Sequence, residues 1–199
     1  MARRPYIVVI GGPNGAGKST IARSVVEQTF GMTEFVNADT IASGLSAFNP
    51  DAAAFAAGRV MLAHIHELAV ARATFAFEST LSSRSFAPWL RDQAARGYDI
   101  HLLYVSLRSP RLAVARVRRR VKSGGHAVPE PIIRRRFHRS AANLFDLYLP
   151  IAHTWRIYDN SSSAPVLVAE SDHEGQPSVL VPRLWSRLHE QASQAHEDK

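Results

Sequence analysis

Eight consecutive residues, Gly12-Pro13-Asn14-Gly15-Ala16-Gly17-Lys18-Ser19, leave this chain few folds to choose from. They match G-x-x-x-x-G-K-[ST], a pattern that means phosphate binding when a strand precedes it and a helix follows. Both flanks comply. Tyr6-Ile7-Val8-Val9-Ile10-Gly11 is a short apolar run rich in β-branched residues, and Thr20 to Gln28 reads as a helix. Glycines let the backbone curl until its N–H groups converge on phosphate oxygens. The helix N-terminus adds partial positive charge at the same place. Lys18 is expected to reach the outer phosphates and Ser19 to offer its hydroxyl to Mg²⁺, with Gly12 through Thr20 as the nucleotide-binding segment. A Gly-rich turn that binds nothing does not account for Lys and Ser at that spacing. The expected ligand is ATP or GTP.

The 199 residues suit one sizeable core. One domain over 1–199 is expected, with a helical subregion at about 109–145 and a frayed polar tail at about 193–199. There are no cysteines, which excludes disulfides and cysteine metal sites and fits a reducing cytoplasm. The apolar run after Arg3-Arg4-Pro5 is too short for a signal peptide and passes straight into the glycine loop. No stretch approaches transmembrane length, so a cytoplasmic protein without a membrane partner is expected. Net charge is +7, with arginines concentrated between Arg108 and Arg139. Nucleic acid or an arginine-lined pocket for small anions both fit that balance. The local clustering, and the lack of a basic stripe interleaved with aromatics, favour the pocket over nucleic acid.

Strand-like runs recur at Glu34–Ala38, Thr74–Phe77, Asp99–Leu107, Thr154–Tyr158 and Pro165–Ala169, separated by helical stretches. The pattern predicts an α/β fold with a parallel sheet covered by helices on both faces. Ala52 to Arg72 is apolar nearly all round, which predicts a deeply packed helix with Asp51 as N-cap. A final helix is expected near Ser178–Gln191, with Val181, Leu184, Trp185 and Leu188 on one stripe.

In such sheets ligands sit beyond the carboxyl ends of the strands. Two acids fall there. Asp39 follows Phe35-Val36 through Asn37-Ala38, and Glu78 follows Phe75-Ala76-Phe77. Either has a plainer role open to it, Asp39 as a helix N-cap and Glu78 as a solvated turn residue. Beside a phosphate loop, however, Asp39 is placed to meet an acceptor hydroxyl. A carboxylate of ordinary pKa near ~4 is ionised at neutral pH and accepts the proton as the phosphoryl bond forms. Asp39 is the candidate base; Glu78 and Thr80 suit hydrogen bonds to the acceptor or to Mg²⁺-bound water. His64 and His66 show no ligand pattern.

Ser109-Pro110 opens a helix as N-cap and first helical residue, and Gly124-Gly125 closes it. Val114, Val117 and Val121 share one face, with Arg116 and Arg120 beside it. A second helix from about Pro131 has Ile133, Phe137, Ala141, Leu144 and Tyr148 as its buried stripe, flanked by Arg136. Such a hairpin suits an arginine-bearing lid that stabilises charge on a transferred phosphoryl group and excludes water. Arg116, Arg120 and Arg136 are the functional candidates; Arg118, Arg119 and Arg139 read as surface, and Arg134 and Arg135 are left open.

Taken together, Gly12 through Thr20, Asn37-Ala38-Asp39, Phe77-Glu78-Ser79-Thr80-Leu81-Ser82, the Arg116–Phe137 segment with Gly124-Gly125-His126, and Trp155 to Asn160 resemble the zeta toxin family of P-loop kinases. The resemblance spans about residues 5 to 160. It implies an ATP-dependent kinase, Mg²⁺-assisted, whose acceptor is a UDP-activated sugar such as UDP-N-acetylglucosamine, and it raises an antitoxin protein as a partner. It also implies that Lys18 holds phosphates, that the Asp39 position is the base, that Glu78 and Thr80 bind the sugar nucleotide, and that Arg120 and Arg136 grip phosphates. The chain is shorter than the well-studied toxins, and compact members accept other substrates. Three further functions stay open: a kinase of an antibiotic or nucleoside, a nucleic-acid-directed P-loop kinase or ATPase, and a nucleotide switch without transfer.

Overall fold

The computed structural model describes residues 4–22, 34–46, 50–125, 127–172 and 175–197. Its centre is a sheet in the order β2-β3-β1-β4-β5-β6-β7. The strands are β1 (Tyr6–Gly11), β2 (Phe35–Val36), β3 (Phe75–Ser79), β4 (Asp99–Ser106), β5 (Thr154–Asp159), β6 (Val166–Ser171) and β7 (Pro177–Val179). Strands β1 to β5 run parallel, as expected, while β6 and β7 pair antiparallel. The turn-back has a simple cause: the link over residues 160–165 is shorter than the dozen or so residues that a parallel crossover needs.

The central strands bury both faces. Ile7 and Val9 of β1 join Phe75, Phe77, Ile100 and Leu102 in one core; Val8 and Ile10 join Ala76, Leu103 and Val105 in the other. Period-two side chains thus feed two layers, and each fully covered Ile or Val stabilises the fold by about 1.5–3 kcal/mol.

A helix, α1, starts at Lys18 and is described through residue 22; the rest of the expected Thr20–Gln28 helix lies outside the described residues. There follow α2 (Ala38–Leu45), α3 (Pro50–Val70), α4 (Phe86–Ala95), α5 (Pro110–Lys122), α6 (Glu130–Asn143) and α7 (Pro182–Glu197). Ser109 caps α5 by accepting from the Leu112 N–H, with Pro110 in the first turn. All five residues of the expected α6 stripe are buried, the last two on a π-helical turn over Leu144–Tyr148.

Two helices depart from expectation. The segment at Pro177–Val179 is the edge strand β7, so α7 starts only at Pro182, four residues later than expected, and runs to Glu197. Strand α-carbon pairing with β6 decides this, and no local pattern carries it. Helix α3 is not covered all round. Ala57, Met61, Ile65 and Ala69 form its buried stripe, while Phe55 stays 79% exposed and Leu62 43% exposed. It begins at Pro50, which puts Asp51 inside the helix rather than at its cap.

Candidate active site

The glycine loop leaves β1 where the chain's neighbours diverge, to β3 on one side and β4 on the other. That is the switch point at which parallel α/β sheets bind ligands. The loop's tight course depends on its glycines. Gly12 has φ +141°, and a Cβ there would run into the Val105 carbonyl; Gly15 has φ +75°, and a Cβ there would lie 2.8 Å from the Ala113 carbonyl oxygen. Strand β4 and helix α5 therefore press on the loop from behind. Asn160, just past β5, donates from Nδ2 to the Ala16 carbonyl at 2.8 Å and braces the far side.

Lys18 is buried, and its Nζ donates to the Pro13 carbonyl at 3.2 Å. Glu78 Oε1 lies 3.5 Å from the same ammonium. Burial holds the Lys18 pKa below its ordinary value, with Glu78 and then Asp39 opposing that shift. Glu78 is more than a turn residue. Its Oε2 accepts from Ser19 Oγ at 2.6 Å and from Asn37 Nδ2 at 2.8 Å, tying the start of α1 and the ends of β2 and β3 into one polar cluster. Ser19 Oγ and a carboxylate oxygen side by side are the hard-oxygen pair that suits Mg²⁺.

Asn37 is the N-cap of α2: its Oδ1 accepts from the Asp39 N–H at 2.8 Å and the Thr40 N–H at 3.3 Å. The Asp39 side chain is thereby released from capping. It lies 3.4 Å from Arg120 Nη1 and shares a cavity of about 460 Å³ with Lys18, Glu78, Thr80 and Arg136. Arg136 is half-buried; burial and then Arg135 pull its pKa below the ordinary arginine value, with Asp39 opposing. Thr80 Oγ1 hydrogen-bonds Ser82 Oγ at 2.8 Å across a turn that holds buried Leu81 at φ +53°. Asn143 Nδ2 pins that turn by donating to the Leu81 carbonyl at 2.7 Å.

The fold thus gathers Lys18, Asp39, Glu78, Thr80, Arg120 and Arg136 around one cavity. Arg116 is not among the residues lining it; its Cβ instead packs near Gly15, on the α5 side of the loop. Arg118 and Arg134 pair with Glu130 on the surface, and His66 stacks on Trp89. His126 lies outside the described residues. Sequence reasoning missed the capping role of Asn37, although an Asn just before a helix is a standard signal. It missed Asn160 as a brace, for which nothing local exists. It also missed the α3 wall of the cavity, formed by Phe55, Arg59 and Leu62. Among the described residues no group of three or more His, Asp or Glu is arranged to hold a metal, and no helix is long and apolar enough to cross a membrane.

A parallel core sheet, a glycine loop at its switch point and arginines on a following helical pair define the P-loop kinase fold. The chain belongs to the AAA domain family, whose model matches residues 7–143. It is 33% identical over 126 residues to an uncharacterized protein of Haemophilus influenzae, a stretch covering 63% of this chain and 88% of that one. Among solved structures it resembles the AvrRxo1-ORF1:AvrRxo1-ORF2 complex, solved with sulphate ions and with ATP, at TM-scores of 0.75 and 0.72 and 16% identity. That match covers 93% of this chain but 63% of the other, so this chain spans under two thirds of that relative's length. It also resembles a protein of the PezAT chromosomal toxin–antitoxin system of Streptococcus pneumoniae, at TM-score 0.62 and 15% identity over 98% of this chain and 89% of that one. Likeness at these identities establishes the fold.

Proposed function

We propose that the protein is an ATP-dependent phosphotransferase acting on a hydroxyl of a small anionic metabolite, with a UDP-activated sugar such as UDP-N-acetylglucosamine as the favoured acceptor. One observation carries this: a carboxylate with no capping duty, Asp39, faces the same cavity as the loop lysine and two arginines.

In this mechanism the loop amides and Lys18 hold the β- and γ-phosphates of ATP. Ser19 and Glu78 would hold Mg²⁺ through their oxygens, and the ion would offset the negative charge of the phosphates. Asn14 Oδ1 is buried without a hydrogen-bond donor among the described residues, leaving an acceptor for a bound hydroxyl or water. The acceptor oxygen bonds to the γ-phosphorus as the bond to the bridging oxygen breaks. Its electron pair leaves with ADP, and the hydroxyl proton passes to Asp39. Arg120 and Arg136 stabilise charge on the transferred group, a contribution on the order of 10³–10⁵ in rate where arginines act this way. Helices α5 and α6 serve as the lid that carries them. The fold shared with a protein of a toxin–antitoxin system is the ground for including an antitoxin-like protein partner in this reading.

The test is direct. Protein is incubated with ATP, Mg²⁺ and a metabolite panel that includes UDP-sugars, nucleosides and antibiotics, and mass spectrometry reads which member gains a phosphate. Lys18→Ala protein is the blank. ATP consumption with no phosphorylated product from any panel member refutes the proposal.

A further inference from the structure

The α3 wall of the cavity has chemistry that phosphoryl transfer does not use. Four cationic side chains line the cavity, Lys18, Arg59, Arg120 and Arg136, against two carboxylates, Asp39 and Glu78. Glu78 answers Lys18 and Asp39 answers Arg120. Arg59 has no carboxylate partner among the described residues, whereas Arg136 shares Asp39 with Arg120. Arg136 stands near Asp39, where the transferred group passes. Arg59 comes from a different wall, on α3.

Arg59 is exposed on that wall. The Arg59 guanidinium carbon lies 5.4 Å from the centroid of the Phe55 ring, one helical turn back. A ring face steadies the cation without consuming any of its five N–H donors, so the whole fork stays available. Gly58, which also lines the cavity, has open space where a Cβ would stand. Phe55 and Leu62 leave apolar area exposed on the same wall. A ligand that covers such a surface needs a flat or apolar face next to an anionic group.

We propose that Arg59, braced on Phe55, is the acceptor-anion subsite of this cavity. It binds a phosphate or carboxylate of the acceptor in bidentate fashion, while Phe55 and Leu62 take the acceptor's apolar face. The acceptor is therefore a metabolite whose anionic group is separate from the hydroxyl that receives the phosphoryl group. This inference rests on the kinase function proposed above, and its test separates the two.

Full-length protein is saturated with Mg²⁺ and a non-hydrolysable ATP analogue to fill the loop. It is then titrated calorimetrically with UDP-N-acetylglucosamine, N-acetylglucosamine 1-phosphate, glucuronate and neutral N-acetylglucosamine. The phosphate and carboxylate probes decide which anion is preferred. Wild type is expected to bind at least one anionic probe more tightly than the neutral sugar. Arg59→Gln is expected to weaken that probe by about tenfold or more, the loss typical of a charge-assisted hydrogen bond. Affinity for the ATP analogue and Tm should not move. Arg59→Lys, which keeps the charge but loses the fork, should fall between. The inference is overturned if Arg59→Gln binds every anionic probe as wild type does, or if wild type binds none of them. Arg59-dependent binding without phosphorylated product keeps the subsite and removes the kinase function; turnover of an anionic acceptor indifferent to Arg59 does the reverse.

Discussion

Replacing Asp39 by Asn isolates the proton-accepting role because its structural duties are small. The cap of α2 is made by Asn37, so the helix start survives. The acid's place in the first turn of α2 is worth about 0.3–1 kcal/mol with the helix dipole. Its pairing with Arg120 joins groups 56% and 38% exposed, and pairs that open to water contribute about 0–1 kcal/mol. The expected loss of stability is therefore at most about 1–2 kcal/mol, seen as a few degrees in Tm. The carboxylate's loss as base should cost about 10²–10⁴ in the transfer rate. The assay is single-turnover phosphoryl transfer with an acceptor found in the metabolite panel, alongside ATP binding by calorimetry and thermal unfolding. The variant should bind ATP within about threefold of wild type, since Asp39 is a lesser influence on Lys18 than burial or Glu78. Transfer slowed by less than tenfold refutes the base assignment. A parallel loss of ATP affinity would instead mean that Asp39 acts through Lys18.

Three other outcomes follow from the geometry. Gly12→Ala should abolish ATP binding and lower Tm, because a Cβ at φ +141° meets the Val105 carbonyl; calorimetry showing wild-type affinity would contradict the packed-loop account. Asn160→Ala removes the 2.8 Å bond to the Ala16 carbonyl and should raise KM for ATP more than it lowers kcat, with Asn160→Asp failing to rescue because it lacks the donor; steady-state kinetics checks this. His189 stacks on Phe145 at 3.9 Å, and burial lowers its pKa below the ordinary 6.5. The folded state favours the neutral ring, so this contribution is complete above about pH 6.5 and is lost as pH falls through the folded-state pKa. An NMR titration should place the midpoint of His189 below that of an exposed histidine.

Much was legible along the chain because its cause is local. The Gly12–Ser19 loop, the Ser109-Pro110 start of α5 and the Ile133–Tyr148 stripe each depend on backbone conformations and side chains within a few turns of one another. The expected strands β1 to β6 all exist, since runs such as Ile7–Ile10 can only be covered on both faces. Helix α3 shows the limit. Its apolar composition was visible, but one face packs on the sheet and the other borders a cavity, and composition assigns both the same meaning.

The chain by itself determined that a phosphate loop would sit at the end of a buried strand, because glycine torsions and β-branched packing are properties of neighbouring residues. Tertiary structure alone decided what surrounds that loop. Glu78 reaches Ser19 across 59 residues, Asn160 reaches Ala16 across 144, and Arg120 reaches Asp39 across 81. Such partners are chosen by strand order and helix packing, which bring residues together irrespective of their separation along the chain. The same packing left Phe55 and Arg59 facing a cavity instead of a core.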